Sequence, residues 1–155
     1  MTRVRLGEKA PDFKLMSNKG VEISLSDFKA KKNVVLYFYP KDESPGCTKQ
    51  ACKFRDNYEK FLEYGAEVLG VSSDSIESHA KFSANHNLPF HLLSDSDGQV
   101  RRLYGVSSTL GLIPGRVTFI IDKEGTVRHI FASQHDAERH IDESIKVLKE
   151  ISGQS

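Results

Sequence analysis

The chain has few cysteines, no tryptophan and no excess of charge of either sign. Its 155 residues include two cysteines, 22 basic residues and 21 acidic residues, which gives a formal net charge of +1. Two cysteines are too few for a secreted domain held together by disulfides. The near-zero charge argues against electrostatic binding to nucleic acid or to an anionic membrane.

Two kinds of apolar segment are also missing. No stretch approaches the ~20 apolar residues that span a bilayer, and residues 1–9 lack the apolar core of a signal peptide. We therefore expect a cytoplasmic protein of a reducing compartment that uses its cysteines for chemistry. Apolar residues at 38% and charged residues at 28% are ordinary for a globular protein. Because the sequence contains no repeat and no linker, we expect a single domain over residues 1–155.

The apolar patterns predict an α/β fold. Strands alternate with helices in the middle of the chain and hairpins lie at both ends, which favours a mixed sheet with helices on both faces. The run 34–39 is apolar without alternation, as expected for a strand that is covered on both sides. The predicted strands are 13–15, 21–25, 34–39, 67–71, 90–93, 117–121 and 126–131, the predicted helices are 46–64, 74–87, 98–104 and 137–151, and residues 106–115 are predicted as a loop.

The two cysteines lie five residues apart, shortly after the predicted buried strand. A turn rich in proline and glycine follows that strand, and an amphipathic helix then begins with Cys47 in its first turn. A thiol there lies beside unpaired backbone N–H groups and the positive end of the helix dipole. Both favour the thiolate, which is the nucleophilic form of cysteine. The pattern predicts a reactive sulfur at Cys47 and a second sulfur, Cys52, nearby.

An intact helix cannot join these two cysteines by a disulfide. Cys47 shares the apolar stripe of the helix, whereas Cys52 lies about 140° around the axis and ~7.5 Å along it. A disulfide needs Cα atoms less than ~7 Å apart and converging Cβ vectors. If the two sulfurs do bond, the first turns of the helix must unwind. We therefore expect a segment that is helical when reduced and locally melted when oxidised.

Four other residues suit a thiolate site at Cys47, and three of them are close to it in sequence. Pro40 and Pro45 restrict the loop and shield the sulfur from bulk water. Ser44 can direct a hydroxyl at the sulfur or at a substrate oxygen, or can simply cap the turn. Arg116, at the start of a predicted central strand, is the candidate for stabilising negative charge, because a guanidinium stays charged and presents a fork of donors. A surface ion pair is the alternative role for this arginine.

Several separated motifs, taken in order, resemble the peroxiredoxins. The resemblance is strongest to the peroxiredoxin Q or bacterioferritin-comigratory-protein branch, and the residues just before Arg116 are similar to plant and cyanobacterial forms. It covers nearly the whole chain. The matching segments are Tyr37–Asp56, Ala10–Phe13, Val71–Asp74, Leu93–Asp95, Leu112–Asp122 and His140–Glu143.

The resemblance implies a role for each site residue. The family pattern is a proline, three residues, a threonine, two residues and a cysteine, together with a distant arginine. Pro40 would shape the pocket, Cys47 would be the peroxidatic cysteine, and Arg116 would polarise the peroxide. Ser44 stands where the family usually has threonine, so the hydroxyl is kept and the methyl group is lost. Cys52 matches the resolving cysteine of the Q branch.

The resemblance also implies a fold, a mechanism and partners. The fold would be thioredoxin-like with an added N-terminal β-hairpin. A hydroperoxide would oxidise Cys47 to a sulfenic acid, Cys52 would form an intramolecular disulfide with it, and thioredoxin or a similar dithiol would restore both thiols. No metal, flavin or haem would be needed. The protein would be a monomer, and a plastid location becomes the alternative to the cytoplasm if a targeting peptide has been removed.

Three other interpretations remain alternatives to this function. A thioredoxin-type thiol–disulfide oxidoreductase usually has two residues between its cysteines, whereas this chain has four. A non-catalytic redox sensor would use the same cysteine switch without turnover. A metal site is disfavoured, because the histidines show no spacing with carboxylates that suits metal ligation; the pairs considered are His79 with His86 and His135 with His140.

Overall fold

Seven strands form one mixed sheet around the most apolar run of the sequence. The computed structural model describes residues 3–106, 108–109 and 113–153. The strand that carries this run, Asn33–Phe38, lies inside the sheet and is buried along its whole length. The strands are β1 (Lys14–Ser17), β2 (Glu22–Ser24), β3 (Asn33–Phe38), β4 (Ala66–Ser72), β5 (His91–Ser94), β6 (Ser108–Thr109), β7 (Ile113–Pro114), β8 (Val117–Ile121) and β9 (Val127–Ala132).

The order across the sheet is β2-β1-β5-β4-β3-β8-β9, and β6 and β7 form a separate pair. Strand β3 runs parallel to β4 and antiparallel to β8. The predicted N-terminal hairpin is present as β1 and β2, and β1 pairs antiparallel with β5 at its other side. The mixed sheet and the added hairpin are therefore confirmed.

Helices cover both faces of the sheet, as predicted, but unequally. Helices α1, α2, α3 and α5 pack on one face, while α4 and the N-terminal segment pack on the other. Alternate side chains of β3 enter the two cores, which explains why its sequence shows no alternation: Val35 and Tyr37 face one core, and Val34 and Leu36 face the other. The helices are α1 (Pro45–Asp56), α2 (Tyr58–Glu63), α3 (Ile76–His86), α4 (Gln99–Tyr104) and α5 (Arg139–Ser152), with a short 3-10 helix over Leu25–Phe28.

Two expectations about helices differ from the structure. The single helix predicted after Gly46 is divided at Asn57, whose side-chain amide donates to the carbonyl of Lys53 at 2.9 Å. An asparagine that bonds its own backbone in this way competes with helix continuation. The next helix is capped by Ser75, which accepts from the N–H of Ser78, so it begins two residues after the predicted start at position 74.

The segment predicted as a loop over residues 106–115 contains β6 and β7, which pair antiparallel. Positions 107 and 110–112 of that prediction lie outside the described residues. Each of these strands has only two residues, too short for a periodic signal in the sequence.

Over the residues that are described, none of the helices combines the length and the apolar character needed to cross a bilayer.

Candidate active site

Both cysteines lie on the helix that follows the buried strand β3. Strand β3 leads through residues 39–44 into α1, whose first position is Pro45 and whose N-cap is Ser44. Proline suits this first position because its missing N–H has no helical partner there. Cys47 is in the first turn and is only 1% exposed. Both cysteines are free thiols.

Aromatic side chains close the inner side of Cys47. As predicted from the helical wheel, Cys47 shares one buried cluster with Ala51 and Phe54 of the same helix. The ring of Tyr37 stacks on Phe54 with 4.5 Å between ring centroids. Burial raises the pKa of Tyr37 well above its usual value, and a negative charge on the neighbouring Cys47 raises it further. The sulfur is therefore almost completely buried against apolar and aromatic side chains.

The register of the sheet brings Arg116 to this pocket. Phe38 pairs with Val117 across β3 and β8, so the residue before Val117 lies beside the loop that follows β3. A Cβ atom built on Gly46 would come within 3.1 Å of Nη2 of Arg116. The guanidinium thus lies against the backbone next to Cys47, as the sequence analysis required. It is buried rather than part of a surface ion pair, so that alternative is wrong.

Gln50 is a site residue that sequence reasoning missed. Its side chain is fully buried, and Oε1 accepts from Nη1 of Arg116 at 2.5 Å. Its Nε2 has no hydrogen-bond partner within the part of the chain that the structure describes. A polar residue one turn after Cys47 on the same apolar stripe was the signal available in the sequence. The amide fixes the direction of the arginine and leaves one unpaired donor beside the pocket.

Further hydrogen bonds hold Arg116 at its Nε, away from the contact with Gln50. Its Nε donates to the carbonyl of Gln134 at 3.2 Å. The neighbouring Ser133 accepts from Nε2 of His140 at 2.9 Å, while Nδ1 of His140 contacts the hydroxyl of Thr118 at 2.8 Å. Burial lowers the pKa of His140 to about 4, and the nearby Arg116 lowers it as well. The imidazole is therefore neutral near pH 7, with Nε2 protonated and Nδ1 accepting.

The structure places Ser44 and Pro40 in the loop but gives them different surroundings. The hydroxyl of Ser44 donates to the carbonyl of Lys41 at 2.9 Å, which uses its one proton to close the turn. Its lone pairs remain able to accept a hydrogen bond. Pro40 is half-buried directly after the buried Tyr39.

Cys52 lies on the same helix but away from the buried stripe. Its side chain is partly exposed. On the C-terminal side of Cys52 the helix contacts other elements, since Lys53 pairs with Asp142 of α5 at 3.0 Å and Arg55 donates to the carbonyl of His86 at 2.6 Å. A disulfide with Cys47 needs the helix over residues 47–52 to change conformation.

The fold also assembles a polar cluster that the spacing of histidines did not predict. Ligand-type atoms of Asp42, Asp74 and His79 lie within 4.8 Å of one another. These residues come from three separate segments, so only the folded chain brings them together. They adjoin the loop that carries Ser44.

A separate apolar cavity of about 370 Å³ lies at the opposite end of β3, beside Val34, Phe28 and Ile121. Since Cys47 follows the other end of that strand, this cavity is not part of the cysteine site.

Comparison with known proteins decides the family. The profile of the AhpC/TSA family matches residues 6–130. The chloroplastic peroxiredoxin Q of Sedum lineare is 51% identical over 150 residues, which cover 96% of this chain and 80% of the relative. The chain is a peroxiredoxin of the AhpC/TSA family. The chloroplastic peroxiredoxin Q of Arabidopsis thaliana is also 51% identical, with coverage of 95% of this peroxiredoxin and 68% of the relative.

Solved structures agree with this assignment. The crystal structure of peroxidoxin BcpB from Mycobacterium tuberculosis superposes with a TM-score of 0.89 at 35% identity, covering 96% of this peroxiredoxin and 99% of that chain. The C47S mutant of PrxQ from Xylella fastidiosa gives a TM-score of 0.89 at 30% identity, with coverage of 97% and 98%. The fold is thus the thioredoxin-like fold of peroxiredoxins, and the enzyme is a thiol peroxidase.

Proposed function

We propose that this peroxiredoxin reduces hydrogen peroxide and organic hydroperoxides through Cys47, with Cys52 as the resolving residue and a thioredoxin-type dithiol as reductant. The observation that carries the proposal is the buried Arg116 guanidinium held against Gly46, next to a cysteine at a helix N-terminus. A bacterioferritin comigratory protein from Xanthomonas campestris, 30% identical with a TM-score of 0.86, is described as having alkyl peroxide reduction activity.

In the first step, the Cys47 thiolate attacks one oxygen of the hydroperoxide and the O–O bond breaks. The sulfur becomes a sulfenic acid, and the leaving oxygen takes a proton and departs as water or an alcohol. Arg116 can donate to that oxygen as negative charge develops on it. Gln50 holds Nη1 of the arginine, so the remaining guanidinium donors point in a fixed direction.

In the second step, the Cys52 thiol attacks the sulfenic sulfur, an S–S bond forms and water leaves. The helix must first unwind, for the geometric reason given above. The reductant then attacks this disulfide and restores both thiols while its own pair of thiols is oxidised. An internal resolving cysteine removes the need for a partner subunit, so we propose a monomer whose single domain spans residues 1–155.

The location is proposed from the relatives. The plant peroxiredoxin Q proteins reported above are chloroplastic, which supports the plastid alternative over the cytoplasm.

The test is a peroxide assay coupled to thioredoxin, its reductase and NADPH. We expect Cys47→Ser to abolish turnover. We expect Cys52→Ser to keep one stoichiometric oxidation, seen by mass spectrometry as a sulfenic acid adduct at Cys47, and to lose thioredoxin-coupled cycling. Turnover retained in Cys47→Ser would overturn the proposal. A Cys52→Ser enzyme that cycles normally with thioredoxin would show that another thiol resolves the sulfenic acid.

A further inference from the structure

A buried pair of side chains outside the catalytic steps holds the loop that precedes Cys47. Asp42 lies in that loop, residues 39–44, and is 5% exposed; His79 of α3 is fully buried. Nδ1 of His79 lies 2.6 Å from Oδ2 of Asp42. Neither residue takes part in the chemistry proposed above.

The contacts of His79 fix how many protons the pair holds. Its Nε2 lies 3.0 Å from the carbonyl oxygen of Leu93. A carbonyl oxygen only accepts, so Nε2 carries a proton. The short contact at Nδ1 needs one further proton between the ring and the carboxylate of Asp42. The pair is therefore neutral as a whole, with each polar atom of the imidazole satisfied although no solvent reaches it.

Further donors converge on Asp42 from neighbouring elements. The hydroxyl of Tyr39 donates to Oδ1 at 2.6 Å, and the hydroxyl of Ser78 donates to Oδ2 at 2.8 Å. The backbone N–H of Asp42 donates to Oδ2 of Asp74 at 2.8 Å. The loop is thus attached to α3 and to the end of β4 through one residue.

This arrangement fits a hydrogen-bond network better than a cation site. The 2.6 Å between Nδ1 and Oδ2 is a hydrogen-bond length and leaves no space for an ion between the two atoms. The carboxylate of Asp74 already accepts from the hydroxyl of Ser72 at 2.6 Å. The cluster is fully occupied by its own donors.

The next residue of the loop has a weaker attachment to the same helix. Glu43 contacts Asn85 and His86 at 2.7 Å and 2.9 Å, but its side chain is 47% exposed. Ion pairs in that setting contribute little because water competes for them. Asp42 is therefore the main anchor of the loop on the N-terminal side of Cys47, while the bond from Arg55 to the carbonyl of His86 holds the helix on the C-terminal side.

We propose that Asp42 and His79 are positioning residues that hold the loop in place and set the balance between two fates of oxidised Cys47. The inference rests on the proposed roles of Cys47 and Cys52. In one fate, Cys52 captures the sulfenic acid, forming a disulfide and releasing water. In the other, a second hydroperoxide transfers an oxygen to the sulfenic sulfur, giving a sulfinic acid and an alcohol or water.

Only the first fate needs α1 to unwind. A firmly held loop keeps Cys47 in the pocket beside Arg116, which favours attack on the first peroxide but also prolongs exposure of the sulfenic acid to a second one. Loosening the Asp42–His79 contact should therefore slow the first oxidation and protect the enzyme against overoxidation. Loosening a contact that served only global stability would change neither the rate of the first oxidation nor the sensitivity to overoxidation.

The experiment compares Asp42→Asn and the milder Ser78→Ala with the wild type in the full chain. We expect the rate constant for Cys47 oxidation by hydrogen peroxide to fall about tenfold in Asp42→Asn, the size expected for one lost charge-assisted hydrogen bond. Disulfide formation should not slow, and the peroxide concentration that converts half of Cys47 to sulfinic acid should rise several-fold. Ser78→Ala should shift both quantities in the same direction by less.

The matched control is Val127→Ala, which destabilises the core on the opposite face of the sheet. An equal shift in the overoxidation threshold of this control would overturn the proposal. So would an unchanged ratio of disulfide to sulfinic acid in both Asp42→Asn and Ser78→Ala. If Asp42→Asn fails to fold, Ser78→Ala decides alone. Failure of the proposed function is distinguishable, because the wild type would then form no sulfenic acid at Cys47.

Discussion

Arg116 shows how much of the site depends on single side chains. Motif resemblance identified this arginine, but neither its burial nor its partner Gln50 could be read from spacing. The arginine lies beside Gly46, the residue before Cys47, because Phe38 pairs with Val117, and this pairing is a property of the sheet. The amide of Gln50 then fixes the guanidinium at 2.5 Å.

The first prediction concerns the fork of the guanidinium. We expect Arg116→Lys to lower kcat/KM for hydrogen peroxide by about a hundredfold, the scale seen when one preorganised donor to a developing negative charge is lost. Lysine keeps the positive charge but cannot contact Gln50, the carbonyl of Gln134 and a substrate oxygen in one plane. Stopped-flow measurement of Cys47 oxidation checks this directly.

A matched control for that change is Arg128→Lys. Arg128 is half-exposed and pairs with Asp122 at 3.2 Å, at the end of the sheet away from Cys47. Its kcat/KM should match that of the wild type. An equal loss in both variants would mean that the arginine at position 116 acts through general stability and not through the peroxide.

Helix α1 carries both sulfurs, and its conformation has to change during the proposed cycle. Its core-facing stripe was predicted correctly from periodicity, because Cys47, Ala51 and Phe54 are all buried. The break at Asn57 was not predicted, because it depends on a side-chain contact to the backbone that competes with an otherwise helical pattern.

The second prediction is that α1 loses protection on oxidation. Amide hydrogen exchange over residues 45–55 should become faster in the disulfide form, and far-UV circular dichroism should show a small loss of helix. The reason is that Cys47 and Cys52, five positions apart in an intact helix, are separated by ~7.5 Å along its axis. Equal protection in the reduced and oxidised proteins would contradict this expectation.

The control for this measurement is Cys52→Ser treated with one equivalent of peroxide. It can oxidise Cys47 but cannot form the disulfide, so its exchange over residues 45–55 should remain that of the reduced protein. Faster exchange in this variant would assign the unwinding to the sulfenic acid instead.

The other elements differ in how far the sequence predicts them. Strand β3 and the two hairpins follow directly from apolar runs and turn residues, whereas β6 and β7 have two residues each and show no periodic pattern. The Asp42–His79 contact joins residues 37 positions apart, and no local pattern connects them. Contacts of this kind form only when the helices pack on the sheet, so the sequence alone does not predict them.

The stability of the whole molecule should depend on pH through His140. Its pKa falls from 6.5 in the unfolded chain to about 4 in the fold, chiefly because it is buried. Between these pH values the unfolded state binds more protons than the folded state. The contribution of His140 to the free energy of unfolding is therefore greatest above pH 6.5 and decreases as the pH falls toward 4. The difference corresponds to about 3 kcal/mol at most.

The third prediction tests this dependence by urea unfolding from pH 7 to pH 4. We expect His140→Gln to be less stable than the wild type at pH 7, since it loses the paired contacts to Thr118 and Ser133, and to show a shallower decrease in the free energy of unfolding with falling pH. His135→Gln, at an exposed histidine, should keep the slope of the wild type. Identical slopes in all three proteins would contradict the assignment to His140.

The sheet divides the interior into two cores, and only one of them contains a sulfur. Substitutions beneath α4 and the N-terminal segment should therefore change thermal stability without changing the reaction at Cys47. Laboratory selection for higher thermal stability should find mutations mainly in that core. Mutations that alter substrate preference should lie almost entirely in the core that contains Cys47.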